Sequence, residues 1–129
     1  MKFSTNKEKG NTSLGMAIAY FSSQGYTVSI PLNDTQDYDL VIEKNKILQT
    51  VQVKSSGCKT KNKYYQVALK SCGGTKGTTY KTFKETSVHL LFIFLEDYSM
   101  YLIPANKINN SSTITLTDKY KDYKINFWD

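Results

Sequence analysis

The chain contains no arginine: its 17 basic residues are all lysines. This bears on recognition. Arginine reads guanine through a bidentate fork, whereas lysine presents a point charge that discriminates geometry less sharply. Cysteine and histidine are also scarce, with Cys58, Cys72 and His89 the whole supply. No CxxC pair exists, so a zinc site of the usual Cys/His type is excluded. The longest apolar run, "VHLLFIFL", falls far short of the roughly 18 residues needed to span a membrane. The opening "MKFSTNKEKG" has no apolar segment of the secretory kind. A cytoplasmic location with free thiols is the expectation.

What is present describes an ordinary globular chain. Its 129 residues, 40% hydrophobic and 22% charged, predict one domain spanning 1–129. A chain of that size buries roughly two thirds of its unfolded surface, enough for a core without staples. The net charge of +6 is unevenly spread. Between Lys44 and Lys84 lie ten lysines and no acid, which leaves the rest of the chain at −4. So dense a block of one sign suits a phosphate-facing surface better than a merely solvated face. Lys59, Lys61, Lys63, Lys70, Lys76 and Lys81 are the candidate nucleic-acid contacts. His89 sits in the apolar run and is expected to be a packed, hydrogen-bonded core residue.

Periodicity predicts a helix over 11–24. Asn11, Thr12 and Ser13 are all N-cap types, Leu14, Ala17, Ile18 and Phe21 form one face, and Gly25 is the stop. Strands are predicted over 26–32, 38–43, 47–55, 64–71, 87–96 and 99–104. The strand over 87–96 is the most apolar and is expected at the centre. "CGGTKGTT" reads as loop, without P-loop spacing, and "YKTFKE" as a short helix or an irregular excursion. "TITLT" is a candidate edge strand, with Phe127 and Trp128 capping the core. The fold class is α/β or α+β, a sheet with a helix packed on one face.

The stretch "DYDLVIEKNKILQTVQVKSS" carries the chemistry. With Asn45-Lys46 as a two-residue turn, Lys44 pairs with Ile47 and the same register sets Asp39 opposite Gln52. Opposed side chains share one face with Cβ atoms about 5 Å apart, and Lys54 lies on that face too. A bulge would shift the register. Asp39 and the Gln52 carbonyl are hard oxygen donors suited to Mg²⁺. Lys54 is suited to offsetting charge at a scissile phosphate or managing the proton of a metal-bound water.

Asp39 followed by Gln52-x-Lys54, each on an apolar strand behind a helix, resembles the PD-(D/E)XK nuclease superfamily, and within it the group I intron-associated (homing) endonucleases. The similarity runs over about residues 5–106, through "KEKGNTSLGMAIAYF", "GYTVSIPLNDTQDYDLVIE", "VQVK", "GGTKG" and "MYLIP". It implies a restriction-endonuclease-like core, a mixed sheet of about five or more strands with the N-terminal helix on it. It also implies a Mg²⁺-dependent endonuclease acting on double-stranded DNA, with Mn²⁺ as a substitute. By that resemblance Asp39 is the metal-binding aspartate, Lys54 the catalytic lysine, and Gln52 stands where most of the superfamily has an acid. The Val53 backbone carbonyl is implied as a further ligand.

The chain departs from the pattern at the helix. Its usual glutamate is missing after Lys9-Gly10, and Glu8 is the candidate substitute from just before the helix. Asp34, Asp37 and Glu43 are reserves. Palindromic cutting needs two active sites, so a homodimer or homotetramer is expected. The alternatives are a Holliday-junction-resolvase-like nuclease acting on branched DNA, a catalytically weak nuclease fold kept for DNA binding, and a protein-binding inhibitor module.

Overall fold

The computed structural model describes residues 5–33, 35–69, 71–73, 79–81, 87–109 and 112–127, with the backbone alone for 71–73 and 79–81. Helix α1 spans Asn6–Ser23, so it begins five residues before the predicted start. Thr5 is the N-cap, its hydroxyl oxygen accepting from the Glu8 N–H at 3.1 Å. Thr12 and Ser13 do not cap. Their hydroxyls donate back to the Glu8 and Lys9 carbonyls at 2.8 Å, the alternative use of Ser and Thr inside a helix. Ala17 and Phe21 are buried on the predicted face, with Leu14 and Ile18 packed beside them. Gly25, at φ 86°, ends the helix in the left-handed conformation that glycine adopts readily.

Along the chain follow β1 (Thr27–Ser29), β2 (Leu40–Lys44), β3 (Ile47–Ser56), β4 (Gln66–Ala68), β5 (Ser71–Gly73), β6 (Thr79–Lys81), β7 (Leu90–Leu95), β8 (Met100–Pro104), β9 (Thr113–Thr115) and β10 (Lys124–Ile125). The main sheet has the order β1-β2-β3-β7-β8-β10. Only the β3–β7 pair in it is parallel. β4 pairs with β9 and β5 with β6 in separate ribbons. Thus "TITLT" contributes a partner for β4, and the edges of the main sheet are β1 and β10. The predicted 26–32 strand shortens to three residues, and Ile30 and Leu32 beyond it are exposed. Pro31 lacks the N–H that would continue the ladder. Trp128, Lys70, Lys76 and the 82–85 part of "YKTFKE" lie outside the described residues.

Two cores flank the sheet. Beneath α1 lie Ala17, Phe21, Leu40, Ile42, Val51, Phe92, Phe94 and Met100. On the other face, Leu91, Ile93, Leu95 and Ile103 pack against Val67, Leu69, Ile114, Leu116 and Tyr120. β7 supplies both cores, which is why its sequence is continuously apolar rather than alternating. Phe127 packs against the α1 side, its ring 5.8 Å from Tyr20. His89 departs from expectation: it is exposed, and its Nδ1 accepts from the Thr50 N–H at 2.9 Å. The helix on a mixed six-stranded sheet is a restriction-endonuclease-like α/β fold.

The β2–β3 hairpin has the predicted register, Lys44 with Ile47 through Leu40 with Val51. Its turn residues Asn45 and Lys46 both have positive φ, 54° and 66°, as a type I′ turn demands. Asparagine tolerates that region, but lysine is strained there. Lys46→Gly should therefore stabilise the chain by about 0.5–1 kcal/mol. A melting temperature at or below the parent's would show that the turn carries no such strain.

Candidate active site

The site originates in a difference of strand length. β2 pairs with residues 47–51 only, while β3 runs on to Ser56. From Gln52 onward β3 keeps β7 on one side and has no β2 partner on the other. Backbone groups along that free half-edge are available for other partners. The first turns of α1 lie above it. A cavity of about 550 Å³ opens there, walled by Asn6, Lys9, Gly10, Ser13 and Leu14 of the helix and by Asp39, Val53, Lys54, Ser55 and Ala68. Ala68 is brought in by β4, which is tied to the end of β3 where the Ser56 hydroxyl donates to the Gln66 carbonyl at 2.6 Å.

Asp39 stands where the hairpin ladder slips. Leu40 is the partner of Val51, yet the N–H of Asp39, one residue earlier, donates to that same Val51 carbonyl at 2.8 Å. Two residues opposing one mark a β-bulge. The regular pairing of Asp39 with Gln52 expected from the sequence is thereby displaced. Instead, Asp39 Oδ2 reaches along the free edge and accepts from the Val53 N–H at 2.7 Å. Backbone groups two residues apart in a strand point the same way. The Val53 carbonyl therefore shares this edge with that of Val51, which faces Asp39.

The parallel register with β7 separates the two faces of β3. Val51, Val53 and Ser55 line up with Leu90, Phe92 and Phe94 on the helix side, whereas Gln52 and Lys54 line up with Leu91 and Ile93 on the other. The cavity wraps around the edge and reaches both sides. Gln52 lies beside it rather than on its wall, 4% exposed, with Nε2 donating to the Asp37 carbonyl at 3.2 Å. Its Oε1 is buried and accepts no hydrogen bond. Such orphaned acceptors are rare and call for a partner.

Both charges in the site are partly stripped of water. Loss of hydration pushes the Asp39 carboxyl above its usual range, opposed by the Val53 N–H and the nearby Lys54 ammonium. The Asp39 surface is still open to the cavity, so the cause is the surrounding protein rather than full enclosure. Desolvation likewise lowers the Lys54 ammonium, opposed by Asp39. Each group is held closer to neutral pH than it would be in water, a pattern common at reactive sites.

The other expected residues are arranged as follows. Glu8 is inside α1, in its first turn, and not before the helix. It stands about 200° around the axis from Asn6 at 3.6 residues per turn, off the face formed by Asn6, Lys9, Gly10, Ser13 and Leu14, and it does not line the cavity. Glu43 pairs with Leu48 near the turn, and Asp34 lies outside the described residues. Lys59, Lys61 and Lys63 are exposed around the segment after β3, with Lys59 Nζ 4.8 Å from the Tyr65 ring centre. Lys81 ends β6, and its side chain is outside the described part. The sequence reading missed Asn6, Lys9 and Gly10 as cavity residues. Their i, i+3, i+4 spacing becomes a signal only once the helix starts at Asn6.

Among the described residues no group of three or more His, Cys, Asp and Glu side chains is placed to hold a metal ion. Asp39 and Val53 offer a carboxylate and a carbonyl on the cavity wall, and the unsatisfied Gln52 Oε1 is buried on the neighbouring residue of β3. These are hard donors, compatible with a cation that keeps part of its water shell, as Mg²⁺ does.

A PD-(D/E)XK endonuclease family profile matches residues 4–127. Among solved structures, the chain is similar to a bacterial homing endonuclease, I-Ssp6803I, with a TM-score of 0.76 and 27% identity over 93% of this chain and 88% of that one. No curated protein matches it. With the profile covering nearly the whole domain and the site lying on the free edge that the fold creates, the chain belongs to the PD-(D/E)XK endonuclease family.

Proposed function

We propose that the protein hydrolyses phosphodiester bonds in double-stranded DNA with Mg²⁺, in the manner of a homing endonuclease. The observation that carries this reading is the Asp39–Lys54 pair, both ends partly desolvated, in an open cavity beside the orphaned Gln52 Oε1. Asp39, Gln52 Oε1 and the Val53 carbonyl would hold the metal, with Mn²⁺ able to take the place of Mg²⁺. The chemistry Mg²⁺ would supply there is Lewis acidity toward water and the scissile phosphate. Lys54 Nζ offsets the charge developing on the phosphate and, in its more accessible neutral form, accepts a proton from the attacking water. Asp39, anchored through Oδ2 to Val53, presents its other oxygen to the cavity. Lys59, Lys61 and Lys63, with Lys70, Lys76 and Lys81 from the same block, contact the DNA backbone. A homodimer or homotetramer supplies the second active site that cutting both strands requires.

A binding-only nuclease fold is the second reading, favoured by the absence of any carboxylate among the helix residues on the cavity wall. The lysine-only composition further favours recognition by shape, and so brings branched DNA into the test. Cleavage of a randomised linear duplex library and of a four-way junction, with Mg²⁺ and with chelator, separates these readings. Metal-dependent cutting of the parent chain, lost at least 100-fold in Asp39→Asn and in Lys54→Met, is expected. Salt-sensitive binding without cutting on either substrate would establish the binding-only reading. Glu8→Ala should change the rate by less than about threefold, and a loss matching that of Asp39→Asn would return Glu8 to the site.

The same two variants should gain stability. The Asp39 pKa is raised on folding, so its ionised form disfavours the folded state above the ordinary carboxylate range. That cost fades as pH falls below this range, where both states are protonated. The Lys54 pKa is lowered, so its ammonium disfavours folding at neutral pH, and the cost fades only above the ordinary lysine range. At pH 7, Asp39→Asn and Lys54→Met should each melt above the parent. Lower melting temperatures in both would mean that the pair stabilises the fold instead.

A further inference from the structure

We propose that the face of α1 carrying Asn6, Lys9 and Gly10 seats the sugar–phosphate backbone of the DNA strand next to the scissile phosphate. This rests on the nuclease reading and extends it to residues outside the Asp39–Lys54 pair.

Gly10 lies inside a helix, where glycine is disfavoured against alanine. Two ordinary reasons for a glycine do not apply. Its φ is not positive, since Gly25 is the positive-φ glycine among the described residues. Nor does the chain crowd it, since a Cβ built at Gly10 meets nothing within 4 Å. Gly15 is equally open, so openness alone is no argument. What sets Gly10 apart is that it lines the cavity together with Lys9, Asp39 and Lys54. There, a missing Cβ leaves room for something outside the chain to approach the helix backbone.

Charge identifies what approaches. Of the described residues walling the cavity, Asp39 is the one acid, against the two ammoniums of Lys9 and Lys54. An anion is therefore favoured before any metal arrives. The two lysines come from opposite sides of the sheet edge, Lys9 from the helix and Lys54 from the face that packs with Ile93. A strand laid along the free edge of β3 thus meets a cation on each flank, with Asn6 able to hydrogen-bond to a phosphate or sugar oxygen. The turn bearing Lys9 is fixed from below, where the buried Ser13 hydroxyl donates to the Lys9 carbonyl.

Binding of a labelled duplex to the full chain in chelator, measured over a salt series, tests this without cleavage. Lys9→Gln should weaken binding and reduce the slope of log K against log salt by about 0.9, the loss of one phosphate contact, and Lys9→Arg should restore it. Gly10→Ala should raise the melting temperature by about 3–5 °C while weakening binding at least tenfold. If the parent binds and the Lys9→Gln slope is unchanged, or Gly10→Ala binds as tightly as the parent, the strip is not a backbone seat. A Gly10→Ala chain that melts lower would overturn the argument from open space. A parent chain that binds no DNA at low salt would sink the nuclease reading itself, and the strip with it.

Discussion

The site depends on β3 outlasting β2. A strand paired on both sides has its backbone groups committed to the ladder. Here β2 begins at Leu40, and the continuation of β3 toward Ser56 keeps β7 while losing its other neighbour. The chain does not leave the new edge bare. Asp39, the residue just before β2, slips the ladder by one position and turns its carboxylate to the Val53 N–H. One bond thereby fixes the acid and leaves the adjacent carbonyl facing the cavity. The approach of α1 over this edge turns an unpaired half-strand into a walled site.

Fixing the charges in this way takes both away from part of their water. Asp39 and Lys54 attract one another, but for each the loss of hydration outweighs that attraction, the usual balance when ions leave water. The Gln52 Oε1 adds a buried acceptor without a donor. These three features share one physical description: polar groups partly stripped of hydration by the protein around them. On the proposed reading, a hydrated cation and a phosphate would answer all three. A merely structural role for these residues would leave each of them unexplained.

Much of this was legible from residue order alone. Alternation through "LVIEKNKILQTV" set the hairpin register, because each slip by one residue would expose Leu40, Ile42 and Val51. The continuous apolar stretch of β7 marked the centre of the sheet. The bulge at Asp39 was not legible, since a single off-register hydrogen bond leaves the apolar pattern intact. Nor was the helix start: Asn11, Thr12 and Ser13 imitate a cap, while Thr5 performs the capping. That error hid the cavity face of α1, because Lys9 and Gly10 then appeared to precede the helix. His89 misled for another reason. Its neighbours are apolar, but it sits at the mouth of β7, where its ring accepts from Thr50 instead of packing.

The misplaced helix start also changes how the missing acid is understood. Once α1 begins at Asn6, its cavity face is complete and carries a lysine, a glycine and an asparagine, with Leu14 behind them. Glu8 points elsewhere, so the helix offers a cation on the side where the family resemblance leads one to expect a metal-holding acid. With one carboxylate among the described residues of the wall, the oxygen donors there suit a single hydrated ion rather than several, and a second ion would share the cavity with Lys9 and Lys54. On the proposed nuclease reading, the two ammoniums take over the work of neutralising phosphate charge. On that same proposal the arginine-free lysine block of the sequence and the two cavity lysines follow one logic: point charges that hold a backbone in place without demanding a particular base.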